Sequence, residues 1–189
     1  EAAAEEHTAD LLRSGNQAKD EDEDEGSYIV QKQGNIAIVE IKGRLTNSDR
    51  SYNRYLGLLS YAEIQRAYAQ IAEDDEIEYI LEDYDTPGGT VAMMAETEEI
   101  MRAVGRIKPR QGFVGSMSAS AGYYLIRGCD SIVASSMAEV GSIGVMQVTM
   151  DMVKMYEEFG IGLHVIKSGD LKAAGNPFEK MTDEQEKYL

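Results

Sequence analysis

The sequence predicts an α/β fold with a largely parallel sheet covered by helices. Three observations predict it. Apolar segments with strand character alternate with segments of helical spacing, which is the pattern of a parallel sheet with crossover helices. Glycine-rich turns stand where a strand passes into a helix. With 43 % hydrophobic side chains in 189 residues, the chain has enough apolar material for one domain core and too little length for two comfortable ones.

Taken in order, the chain opens with a stretch that the sequence separates from the rest. Residues 1–27 hold ten acids and two bases, half of the formal charge of −16. A short helix is expected within 1–14. The run Asp20-Glu21-Asp22-Glu23-Asp24-Glu25 reads as solvated linker, because adjacent like charges repel and resist packing. The expected organisation is thus an acidic flexible tail over 1–27 and a domain over 28–189. Strands are expected at 28–31 and 36–41, around the Gln33-Gly34-Asn35 turn. A polar loop follows over 46–57. Residues 61–72 have Ile64, Ala67, Tyr68 and Ile71 on one helical face. A strand at 77–84 runs into Asp85-Thr86-Pro87-Gly88-Gly89, and a helix follows over 91–104. Next come a buried strand at 112–115, a small-residue helix at 118–127, a strand at 131–134 and an irregular strand at 141–145. A helix at 151–159, a strand at 163–166 and a helix from 181 complete the pattern.

Composition excludes several function classes. The acidic surface repels phosphates, so nucleic acid is not an expected partner. Cys129 is the single cysteine, so no intrachain disulfide or cysteine zinc site is expected. The carboxylates are scattered and no HExxH spacing occurs, so no metal or other cofactor is expected. No apolar run approaches the roughly 20 residues of a membrane helix. The opening Glu1-Ala2-Ala3-Ala4-Glu5-Glu6 has neither a basic n-region nor an apolar h-region, and does not read as a signal peptide. A cytoplasmic location is expected, with membrane association if an anchor precedes the sequence.

Only two histidines are present, His7 in the tail and His164 in an apolar segment that reads as a packed strand. A Ser–His–Asp triad therefore has little support. Chemistry is left to two glycine-rich turns, a serine cluster and a lysine. In Asp85-Thr86-Pro87-Gly88-Gly89, proline fixes the turn and the glycines free the backbone, so that N–H groups at a strand-to-helix junction can hold an oxyanion. An ordinary βα turn is the bland reading of that segment taken alone. In Gly115-Ser116-Met117-Ser118-Ala119-Ser120-Ala121-Gly122-Tyr123, Ser120 falls at or near a helix start, where the dipole favours negative charge; the bland reading makes Ser118 or Ser120 an N-cap. Lys172, in Lys167-Ser168-Gly169-Asp170-Leu171-Lys172, is by itself a surface charge.

Together these segments resemble peptidase family S49, which includes signal peptide peptidase A and the lambda-type phage capsid proteases. The resemblance is carried by Asp85-Thr86-Pro87-Gly88-Gly89, by Ser118 to Tyr124 followed by Gly141-Ser142-Ile143-Gly144-Val145, and by Lys167-Ser168-Gly169 with Lys172 and Gly175-Asn176-Pro177-Phe178. It runs from about Gly34 to the C-terminus. The resemblance implies a ClpP/crotonase-like fold and a serine endopeptidase with a Ser–Lys dyad. Ser120 matches the nucleophile and Lys172 the general base. Gly88 or Gly89, with the N–H of Ala121, match the oxyanion hole. It also implies protein or peptide substrates, such as scaffold or capsid proteins or signal peptides, and a homo-oligomeric ring in which Lys172 serves a neighbour's Ser120. The wording of the first and third motifs is close to the phage branch. Family catalytic domains continue beyond the position of Leu189. A lysine in water keeps its proton, with a pKa of about 10.4, so such a base has to be desolvated. Competing readings are a membrane-linked signal peptide peptidase, a crotonase-like CoA enzyme, and an inactive scaffold subunit of the same fold.

Overall fold

The computed structural model describes residues 27–189. The acidic run and the helix expected within 1–14 lie outside the described residues. The chain divides into two compact units, the first ending at Val145 and the second running from Met146 to Leu189.

The first unit is built on a six-stranded sheet. Its strands are β1 (Val30–Gln33), β2 (Ile36–Lys42), β5 (Tyr79–Thr86), β6 (Arg110–Ala119), β7 (Ser131–Ala134) and β8 (Glu139–Gly141), with β3 (Arg44–Thr46) and β4 (Leu58–Ser60) forming a separate parallel pair. The order is β1-β2-β5-β6-β7, and β8 pairs with β6. Only β1 runs antiparallel, to β2 across the turn at Gly34; the other pairings are parallel. The α/β class with a largely parallel sheet is therefore observed.

Alternation along the strands sets the core. Ala37, Val39 and Ile41 of β2, Ile80 and Tyr84 of β5 and Val114 of β6 are buried in one cluster. Against them pack Ile64, Ala67, Tyr68 and Ile71 of α1 (Tyr61–Glu73), Ile100, Met101 and Val104 of α2 (Met94–Gly105), and Leu125 and Ile126 of α3 (Ala121–Ile126). The helix expected at 61–72 is thus found within one residue. Its start is fixed chemically, because the Ser60 hydroxyl accepts the Glu63 N–H at 3.0 Å. Its end is held by Lys108, whose Nζ donates to the carbonyls of Ile71 at 2.5 Å and Asp74 at 2.7 Å.

A charged cluster lies inside this core. Glu82 and Arg110 are fully buried and face each other from β5 and β6, with Nε to Oε1 at 2.5 Å and Nη2 to Oε2 at 3.2 Å. The hydroxyls of Tyr68 and Tyr84 and the thiol of Cys129 donate to the same carboxylate. Burial, reinforced by the Glu82 charge, pushes the Cys129 thiol up, so it is inert as a nucleophile at neutral pH.

Several expectations are corrected by pairing. The 46–57 loop contains a 3₁₀ turn at Asn53–Leu56 and is flanked by β3 and β4, which are too short to leave a periodic signal. β6 runs from Arg110 to Ala119, so Ser118 lies in a strand and not in the helix expected at 118–127. The strand expected at 141–145 ends at Gly141. In the second unit, α4 (Val153–Glu158) and α5 (Asp183–Tyr188) occupy the expected places, α5 behind a capping box formed by Thr182 and Gln185. Residues 163–166 form no strand, and His164 is exposed and not packed. Alternation there is real, but a strand also needs a ladder of backbone partners, and this segment has none among the described residues.

Candidate active site

The site in the first unit begins with an irregularity in β6. Tyr84 pairs with Val114, but Thr86, two residues on, pairs with Ser118, four residues on. The extra residues around Gly115 to Met117 form a bulge, which bends a strand and re-aims its end. The Ser116 hydroxyl donates to the Asp85 carboxylate and ties the bulge to β5. Before the bulge β6 pairs with β7; after it, Met117 to Ala119 pair with β8. Ser120 follows at once, its N–H donating to the Gly141 carbonyl at 2.8 Å.

Ser120 has φ 53 and ψ −116, a left-handed conformation that a side chain rarely adopts. Holding it there costs roughly 1–3 kcal/mol, which the surrounding ladder has to offset. A serine on a sharp, strained strand-to-helix turn presents its hydroxyl instead of turning it back onto the helix. Accordingly Ser120 stands at the N-cap position of α3 but makes no side-chain cap bond. The capping reading of Ser120 therefore does not hold, and its Oγ is left available.

The Asp85-Thr86-Pro87-Gly88-Gly89 turn lies against this serine. A Cβ on Gly88 would stand 2.6 Å from the Ala119 carbonyl oxygen and 2.8 Å from both the Ala121 nitrogen and Ser120 Cβ, and Gly88 has φ +88. No other residue fits there. Gly88→Ala is expected to cost about 2–4 kcal/mol in a urea melt, from strain and overlap together; a loss below 1 kcal/mol would contradict this close approach.

The backbone of the turn is paired on one side only. Gly88 accepts the Leu45 N–H at 2.9 Å, and the Thr90 N–H donates to the Leu45 carbonyl at 3.1 Å. Gly89 bridges Leu45 between these two bonds, so its own N–H points away from β3. The N–H of Gly88 is engaged by the Thr86 hydroxyl at 3.1 Å. Among the described residues, the N–H groups of Gly89 and Ala121 have no acceptor. The structure thus brings Ser120, Gly88 and Ala121 together, and separates the two glycines that the sequence left as equivalent.

Ser118 is fully buried and its Oγ has no partner among the described residues. An unpaired buried hydroxyl lowers stability, so Ser118→Ala is expected to leave stability unchanged or raise it by up to about 1 kcal/mol. A denaturation midpoint showing a loss larger than that would mean that the hydroxyl has a partner.

Lys172 belongs to the second unit, is exposed, and lies in a run of turns in which its N–H donates to the Gly169 carbonyl at 3.1 Å. The neighbouring Lys167 is spoken for. Its Nζ meets Glu179 Oε1 at 2.7 Å and holds that carboxyl below its usual range. Asn176 and Gln185 also donate to Glu179, and Gln185 reaches the Asp170 carbonyl at 2.9 Å, so the segment around Lys172 is braced while its amine makes no ion pair among the described residues.

Sequence reasoning missed Thr86, Ser116 and Ser118 as parts of this site. Thr86 had a readable signal, a hydroxyl two residues before a glycine in a turn. The bulge at Gly115 to Met117 had none, since its register depends on two flanking strands.

Comparison with known proteins accords with this geometry. The chain is 32 % identical over 186 residues to the capsid assembly protease C of Escherichia phage lambda, covering 98 % of this chain and 42 % of that protein. It is 26 % identical over 149 residues to the head-tail preconnector protein GP5 of Enterobacteria phage P21, covering 79 % of this chain and 30 % of that protein. It is 29 % identical over 85 residues to the chloroplastic serine protease SPPA of Arabidopsis thaliana, covering 45 % of this chain and 13 % of that protein. The chain therefore spans less than half the length of each of these relatives. Among solved structures, an enoyl-CoA hydratase/isomerase family member aligns with TM-score 0.45 and 17 % identity over 70 % of this chain and 52 % of that chain, a likeness that bears on neither substrate nor chemistry. Among the described residues no helix is long and apolar enough to cross a membrane. Residues 102–189, which hold both the Ser120 turn and the Lys172 segment, match the family described as Peptidase family S49, and the chain belongs to that family.

Proposed function

We propose that this chain is the catalytic region of a serine endopeptidase acting in phage capsid assembly, with Ser120 as nucleophile and Lys172 as general base. The observation that carries the reading is the strained turn at Ser120, with the N–H groups of Ala121 and Gly89 on the neighbouring backbone lacking an acceptor among the described residues. The phage role is supported by the likeness to the lambda protease, which covers nearly the whole chain.

A serine hydroxyl needs a base to become a useful nucleophile. In this reading the neutral amine of Lys172 takes the Ser120 proton as Oγ bonds to the substrate carbonyl carbon. The oxygen of that carbonyl becomes an oxyanion and is held by the N–H groups of Ala121 and Gly89. Lys172 then gives its proton to the leaving nitrogen as the C–N bond breaks, and leaves an acyl-enzyme. Water attacks the ester and passes a proton to Lys172, which returns it to Ser120 Oγ as the acid product departs. A lysine that does this has to be shielded from water. Lys172 is exposed in the single chain, which favours an assembled state where Lys172 from one copy serves Ser120 of another.

The test is incubation with capsid or scaffold protein of the cognate phage, wild type against Ser120→Ala, read by mass spectrometry of new termini. Cleavage by wild type alone supports the reading. Cleavage by both, or labelling of Ser120 by a fluorophosphonate in neither isolated nor assembled protein, rules it out.

A further inference from the structure

We propose that Thr86 is a positioning residue that decides which glycine N–H is left to hold the oxyanion; this rests on the serine peptidase reading above. Thr86 is fully buried at the end of β5. Its Oγ1 donates its one proton to the Gly43 carbonyl at 2.6 Å and accepts the Gly88 N–H at 3.1 Å. Its methyl packs on the first turn of α3, where a Cβ on Gly122 would stand 2.5 Å from Thr86 Cγ2. One side chain therefore joins the β2–β3 junction, the glycine turn and the nucleophile helix.

The consequence for the turn follows from hydrogen-bond capacity. The carbonyl of Gly88 is given to Leu45 and its N–H to Thr86, so the peptide groups on either side of Gly88 are fixed in orientation. Gly89 lies between the two bonds to Leu45 with its N–H directed away from β3 and without an acceptor among the described residues. Thr86 thus withdraws the Gly88 N–H from the site, while the Leu45 N–H, bonded to the Gly88 carbonyl of the same planar peptide group, directs the Gly89 N–H. Two successive glycines rotate at little steric cost, so without the Thr86 bond the Gly88 N–H would be free to turn into the site, and the peptide leading into the Gly89 donor would lose one of its anchors. Preorganisation is what gives an oxyanion donor its effect.

Valine keeps the shape of Thr86 and removes both bonds; serine keeps both bonds and removes the methyl. Thr86→Val is expected to lower kcat roughly 10- to 100-fold, less than the 10²–10³ for outright loss of a donor, with KM within about 2-fold. Thr86→Ser should stay within about 3-fold of wild type. Amide hydrogen exchange followed by NMR supplies a readout that needs no activity. In the wild type the Gly88 N–H should be protected and the Gly89 N–H should exchange quickly; in Thr86→Val the Gly88 protection should be lost. Protection of Gly89 in the wild type, or Gly88 exchange unchanged by Thr86→Val, overturns the proposal. The wild-type exchange pattern decides the matter even if Thr86→Val does not fold. Failure of Ser120 to react with a fluorophosphonate would instead remove the peptidase reading and leave the exchange result standing on its own.

Discussion

Ser120→Ala and Lys172→Ala are each expected to abolish peptide cleavage, with a loss on the order of 10⁴-fold or more, while leaving the urea midpoint close to wild type. Neither side chain supports the fold: Ser120 Oγ caps nothing, and Lys172 is exposed and makes no ion pair among the described residues. The two losses should be equal within a few-fold, because nucleophile and base act as one unit and removing either removes the whole step. Mixing the two inactive variants separates the ways of assembling the site. Regained cleavage in the mixture means that one copy's lysine serves another copy's serine. No regain, with both variants folded and assembled, means that each chain completes its own site. Full activity in either single variant would end the dyad.

Arg110→Met is expected to destabilise the first unit by about 3–5 kcal/mol, measured by chemical denaturation. Arg110 and Glu82 form a bidentate pair inside the core, and removing one partner leaves the other charge buried without compensation. The guanidinium also reaches the Leu125 and Gly128 carbonyls at 3.5 Å and 3.3 Å, at and just beyond the end of α3. Loss of the pair should therefore loosen the helix that follows Ser120 as well as the sheet. A loss below 1 kcal/mol would show that the cluster of Tyr68, Tyr84 and Cys129 donors satisfies Glu82 without the arginine.

The difference between what was legible and what was not follows the range of the interactions. The helix at 61–73 was readable because its apolar spacing is local. The strand at 36–42 was readable because alternation follows from burying one face of a sheet. The bulge in β6 was not, since it arises from β5 on one side and β7 and β8 on the other. Residues 163–166 were misread for the converse reason: the pattern of a strand is local, but its partner is not.

By itself the sequence determined the fold class, the two glycine-rich turns, the candidacy of Ser120 and Lys172, and the family to which they point. Periodicity and turn chemistry act between near neighbours, so they are written in order along the chain. Only the tertiary structure decided that Ser120 is strained and uncapped, that Gly88 is pressed against it, and that Thr86 occupies the Gly88 N–H while the Gly89 N–H has no acceptor among the described residues. Those outcomes depend on strands distant in sequence meeting at one register, where each N–H finds or fails to find an acceptor.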